Sequence, residues 1–192
     1  MEATRELPDD LKRALDFHGH LCPGLLIGYR AAQAASRALQ VGASEDEELV
    51  LIAENDSCSV DAFQSMLSTT FGKGNLIFRD YGKQVFTLGE RGSGRAVRVA
   101  LRHDALDALD ARAPGDGTLD RAGKIDRLLH AEEKDLFNIN SVRLELPAKA
   151  RNHATVPCGR CGEGTMETRM IGSGADSFCL PCAGDLELIA GS

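Results

Sequence analysis

The stretch "FHGHLCPGLLIGYR" places His18, His20 and Cys22 on alternate residues immediately before Pro23. Two imidazoles and a thiol suit zinc, iron, nickel or cobalt rather than magnesium or calcium. A residue preceding proline prefers extended backbone, so "HLC" is expected outside the following helix, with alternate side chains sharing a face. Cys22 then abuts the helix beginning at Pro23, where free N–H groups and the helix dipole favour a thiolate. Cys58, in "ENDSCSVDAFQ", occupies a similar place where a strand hands over to a helix, with Glu54, Asp56 and Asp61 close in sequence. The expectation is a pocket in which both thiols are favoured as thiolates and converge with the imidazoles. The alternatives are hydrogen-bonded histidines beside small buried thiols, or a Cys22–Cys58 redox dithiol.

A second constellation closes the chain. Cys158-x-x-Cys161 and Cys179-x-x-Cys182 enclose seventeen residues, the spacing of a four-cysteine zinc site. Four thiolates complete a tetrahedral shell, so such a site is structural. Iron in a rubredoxin-like site, or two disulfides, are the alternatives. The ribbon region carries few basic residues, which favours capping or protein contact over nucleic-acid binding.

A third stretch, "TTFGKGNLIFRDYGK", flanks Lys73 with glycines and continues through Asn75, Asp80 and Lys83. Glycines around a lysine can cradle an anion, but the Walker spacing is absent and two ordinary turns explain the pattern equally.

The elements that must position these groups are legible along the chain. "DDLKRALDFHGH" reads as a short helix, and "GLLIGYRAAQAASRALQ" as a long, mostly buried one ending near Gly42. "ELVLIAEN" reads as a strand followed by the helix "SVDAFQSMLSTTF". Strands "NLIFRD", "KQVFTLGE" and "RAVRVALR" follow, then helices around Ala105–Ala111 and Leu119–Lys134, and a last strand "FNINSVRLEL". A linker of residues 148 to 156 precedes the ribbon, whose "GTMETRMI" and the stretch before Phe178 supply a small hairpin. The domain boundaries expected are 1–150 and 151–192.

The bulk numbers set bounds. The 192 residues are 43% hydrophobic with six cysteines and a net charge of -7. That charge argues against broad attraction to nucleic acid or an anionic membrane. No run approaches the length of a membrane helix, and "MEATRELPDD" matches no secretory leader, so the expected location is cytoplasmic, where paired cysteines more often hold metal than form disulfides.

Taken together, "FHGHLCPGLLIGYR", "ENDSCSVDAFQ" and "FGKGNLIFRDYGK" resemble the FmdE-like family, named for a component of formylmethanofuran dehydrogenase. The resemblance implies an α+β, thioredoxin-like core, a mixed β-sheet flanked by helices, commonly dimeric and with a ribbon appended. It maps the family's motif residues onto His18, His20, Cys22, Glu54, Cys58, Asp61, Lys73, Asn75, Asp80 and Lys83, clustered as a pocket that can hold a metal ion. Thr69 departs from the pattern, because relatives often have cysteine shortly before the glycine–lysine–glycine turn.

Three functions follow as expectations. The first is a metal-binding accessory protein of molybdenum- or tungsten-dependent one-carbon redox chemistry, delivering metal or cofactor or assisting assembly. It would carry structural zinc, a second N-terminal metal ion and an associated molybdenum or tungsten oxidoreductase partner. The second is a metal-dependent enzyme using an open site at His20, Cys22 and Cys58, with Glu54, Asp61 or Lys73 moving protons and Asn75, Asp80 and Lys83 binding a cofactor. The third, a nucleic-acid-binding regulator acting through the ribbon, is disfavoured by the acidic balance.

Overall fold

The computed structural model describes residues 7–111 and 119–184. The chain divides into two compact units, Met1–Ala150 and Arg151–Ser192. The first opens with helices α1 (Asp9–His18) and α2 (Pro23–Leu39), followed by strand β1 (Leu49–Ala53), helix α3 (Ser59–Leu67) and strands β2 (Leu76–Phe78), β3 (Val85–Glu90) and β4 (Arg95–Leu101). Helices α4 (Ala105–Asp110), α5 (Arg121–His130) and α6 (Glu133–Leu136) lead into strand β5 (Phe137–Arg143). Part of the anticipated segment between α4 and α5 lies outside the described residues.

The sheet order is β2-β1-β3-β4-β5; β1 and β2 are parallel and the other neighbours antiparallel. This is a mixed α+β architecture with helices against the sheet. Parallel neighbours need a crossover, and α3 supplies it. β1 is buried at every position, as its continuous apolar run requires of a central strand. Leu49, Leu51 and Ala53 join the helical core with Phe86, Leu88, Val97 and Val99. Val50, at the opposite phase, is also fully buried, and it pairs with Gly89, over which Leu146 of the segment after β5 is packed.

Helix α2 is the hub. Its alanines and leucines are buried along most of its length, and it packs on α3, α5 and β4. Gly28 sets the crossing with α3, for a Cβ there would stand 2.1 Å from the Ser59 carbonyl oxygen. Arg30 reaches from α2 to donate to the carbonyls of Leu128, Leu129 and Ala131 at the carboxyl end of α5. Burial lowers the pKa of that guanidinium. The helix ends at Gln40, two residues before the expected Gly42, because Gln40 takes the left-handed conformation and Val41 N–H bonds back to Ser36.

The second unit contains two small antiparallel pairs: β6 (Thr155–Pro157) with β7 (Gly164–Met166), and β8 (Met170–Ile171) with β9 (Phe178–Cys179). A short helix α7 (Leu180–Ala183) follows. "GTMETRMI" therefore does not fold as one arm of a single hairpin. Its first part pairs backwards with residues expected in the linker, and its last part pairs forwards with Phe178–Cys179.

Candidate metal centre

Apolar positions carry α1 to His18, and Gly19 then turns the chain at φ 90°. His18, His20 and Cys22 therefore do not share a strand face, as alternation suggested. They converge because a helix end, a left-handed glycine and the next helix start fold the segment over itself. One ligand atom from each lies within 4.8 Å of the others. The His18 and His20 rings are 4.6 Å apart. His20 is exposed, His18 half-buried and Cys22 buried.

The orientation of His18 is set from behind. Its Nδ1 lies 2.7 Å from Asp61 Oδ2. An ionised carboxylate only accepts, so Nδ1–H donates and the Nε2 lone pair is left facing Cys22 Sγ, 3.7 Å away. Asp61 is itself fixed by Gln64, whose amide donates to Oδ1 at 3.1 Å. Carboxylate, imidazole and an outward-facing nitrogen form the arrangement by which proteins orient histidine ligands to metals. Cys22 has extended backbone, as a residue before proline should, and Leu25 N–H donates to its sulfur at 3.3 Å.

Cys58 stands beside this group without being one of the three mutually close ligands. A Cβ placed on Gly24 would be 3.7 Å from the Cys58 sulfur and 3.9 Å from that of Cys22, so glycine leaves the space both sulfurs share. Cys58 begins α3 but makes no capping bond. Its pKa is raised by burial first and then by the neighbouring Cys22 sulfur. The expectation of a favoured thiolate at Cys58 is thus corrected: burial outweighs the helix start.

Other anticipated site residues are held elsewhere. Glu54 pairs with Arg98 on β4 at 3.3 Å. Lys73 Nζ donates to the carbonyls of Ser44, Glu45 and Asp46 at 3.3–3.4 Å. Asn75 is fully buried; its amide donates to the carbonyls of Asp46, Leu49 and Ser68, and its oxygen accepts from Thr70 N–H. Lys73 and Asn75 therefore staple two loops to the start of β1 instead of cradling an anion or serving chemistry. Asp80 and Lys83 lie exposed on the loop between β2 and β3, with Lys83 Nζ 6.0 Å from the Tyr81 ring centroid. Thr69 is fully buried and donates to the Phe63 carbonyl.

Beside His18 and Cys58 opens a cavity of about 470 Å³, lined also by Asp56, Asp61, Phe71 and Phe78. Phe71 and Phe78 carry no signal in the sequence, where they read as ordinary positions in a turn and a strand.

In the second unit, Cys158, Cys161, Cys179 and Cys182 bring their sulfurs within 4.8 Å of one another. Gly162, at φ 75°, closes the first knuckle and donates to the Cys158 carbonyl. Backbone N–H groups, chiefly that of Cys161 and then those of Cys179 and Arg160, hold the Cys158 pKa down to about 6. Burial and the adjacent thiols push Cys182 up to about 12. Four soft, convergent donors with N–H support fit a tetrahedral zinc ion.

Residues 17–138 match the FmdE family, described as "FmdE, Molybdenum formylmethanofuran dehydrogenase operon". The chain belongs to the FmdE family. The matched segment contains the whole of the His18–His20–Cys22 centre and Cys58. A crystal structure of an FmdE-like protein of tungsten formylmethanofuran dehydrogenase, from Syntrophus aciditrophicus, superposes with a TM-score of 0.67. At 24% identity, covering 93% of this chain and 92% of that one, the likeness shows the fold. A curated relative from Archaeoglobus fulgidus, named "Probable S-adenosyl-L-methionine-binding protein", is 28% identical over 203 aligned residues. The alignment takes in 94% of this chain but 54% of the relative, so the chain spans about half the length of that protein. Among the described residues, no helix is long and apolar enough to cross a membrane.

Proposed function

We propose that this FmdE-family chain is a metal-binding accessory protein of molybdenum- or tungsten-dependent one-carbon redox metabolism, built on a thioredoxin-like core and acting in metal or cofactor delivery or in assembly. The observation that carries the reading is the carboxylate-oriented His18 nitrogen aimed at the buried Cys22 sulfur, with His20 within reach. Three ligands leave a coordination position open, which suits an ion that must be passed on or approached by another molecule. The four-cysteine ribbon would hold a second, closed zinc ion with a structural role. Cytoplasmic location and a homodimer belong to the same proposal.

The deciding experiment is removal of the gene from its host, followed by assay of the molybdenum or tungsten formate-type dehydrogenases. Activity is expected to fall at unchanged enzyme abundance, and to return with the wild-type gene but not with Cys22→Ser. Unchanged activity would contradict the accessory role.

The cavity beside the centre supports a second reading, a metal-dependent enzyme whose substrate enters there. In that case Asp56 is better placed than Glu54 or Lys73 to move a proton, because it lines the cavity while the other two are bonded elsewhere. The name of the Archaeoglobus relative adds S-adenosylmethionine as a candidate ligand. Turnover by the purified chain would favour this reading.

A further inference from the structure

Phe71 and Phe78 are 75% and 44% exposed, and both line the cavity beside the metal centre. Single exposed apolar side chains are common, but two phenylalanines bordering one concavity form the patch expected at a binding site. Val60 and Leu76 contribute further apolar wall, and the volume of about 470 Å³ matches small-molecule sites.

Charge narrows the occupant. Among the described residues lining the cavity there is no lysine or arginine, whereas Asp56 and Asp61 both line it. Asp61 is bonded to His18 and Gln64, which leaves the exposed Asp56 carboxylate as the charge a ligand would meet. A phosphate or carboxylate would face negative charge with no cation to neutralise it. A flat ring would find two aromatic faces, and a positive ring would gain from both the rings and Asp56.

We propose that this cavity binds a flat, neutral or cationic heteroaromatic molecule, with its ring against Phe71 and Phe78 and its polar edge at Asp56, adjoining the His18 side of the metal centre. This deepens the metal-centre reading by naming the class of ligand that reaches it, but the cavity walls are protein side chains and need no ion to form.

The test is calorimetric titration of the full chain with 1,3-dimethylbenzimidazolium, benzimidazole and benzimidazole-5-carboxylate. The first two should bind, and the carboxylate should bind more weakly by at least about tenfold, given like charge at Asp56 and no cation. Phe71→Ala should weaken the binders by about tenfold through lost ring contact. Asp56→Lys should reverse the charge preference. Dimethylbenzimidazolium has no free ring nitrogen to coordinate metal, so its binding should survive His18→Ala. That arm separates failure of the cavity from failure of the metal centre. The proposal is overturned if neither non-anionic probe binds at millimolar concentration, if the carboxylate binds as tightly, or if Phe71→Ala leaves every Kd unchanged.

Discussion

At the scale of single residues, Asp61 shows how a carboxylate works on a metal without touching it. It fixes the tautomer and ring plane of His18, so Asp61→Asn should weaken the N-terminal ion by about 10–100-fold in Kd while sparing the ribbon ion. Competition with a chromogenic chelator would measure both. Asn75 gives the opposite case. Its alanine variant orphans the buried carbonyl of Leu49 and the N–H of Thr70, a loss on the order of 3 kcal/mol in stability read by urea unfolding. Metal content should not change. A variant that kept its stability but lost metal would return Asn75 to the site. These contrasts show what a linear sequence hides. His18, His20 and Cys22 are legible as ligands because residue type alone suggests coordination. Lys73, Asn75 and Glu54 look equally chemical, and their partners, loop carbonyls and Arg98, are reached only through tertiary contacts.

At the scale of elements, the site depends on where α2 and α3 cross. Gly28 lies against the Ser59 backbone, and the amino ends of these helices carry Cys22 and Cys58. Gly28→Ala would force the helices apart and should cost about 2 kcal/mol or more, because backbone cannot move aside as a flexible side chain can. The same shift should weaken the N-terminal metal, which separates this change from a local cavity defect. Tyr29, on α2, donates to Asp10 on α1 and is pushed up to about 12, by burial first and then by that carboxylate. The folded state thus favours the protonated phenol. Stability from this group is complete below pH 10 and declines as pH rises from about 10 towards 12. A Tyr29→Phe variant should lose that part of the alkaline dependence, seen by comparing unfolding midpoints across the range. Existence and order of the elements are legible from apolar periodicity and from Pro23. The ends are less so, because Gln40 and Ser68 adopt left-handed conformations that only tertiary packing selects. The ribbon's pairings escape a reading of pattern because strands of two and three residues carry too few alternations to specify a partner.

At the scale of the whole molecule, two compact units and two ligand clusters of different character imply separable stabilities. The ribbon unit is small and its buried cluster is the cysteines with Met170 and Phe178, so its folding should depend on its ion. Chelation under mild conditions should abolish amide-exchange protection across residues 155–184 while the sheet and α2 remain protected. Loss of protection throughout would show that the units fold as one. The centre at His18, His20 and Cys22 is the claim on which the proposed function depends, and metal stoichiometry tests it most directly. Purified wild type, a His18→Ala/Cys22→Ser variant and a Cys158→Ser/Cys161→Ser variant should be compared by elemental analysis after equilibration with excess zinc and desalting. Two ions per wild-type chain and one in each double variant are predicted. A single ion in wild type that persists after His18 and Cys22 are replaced would contradict it.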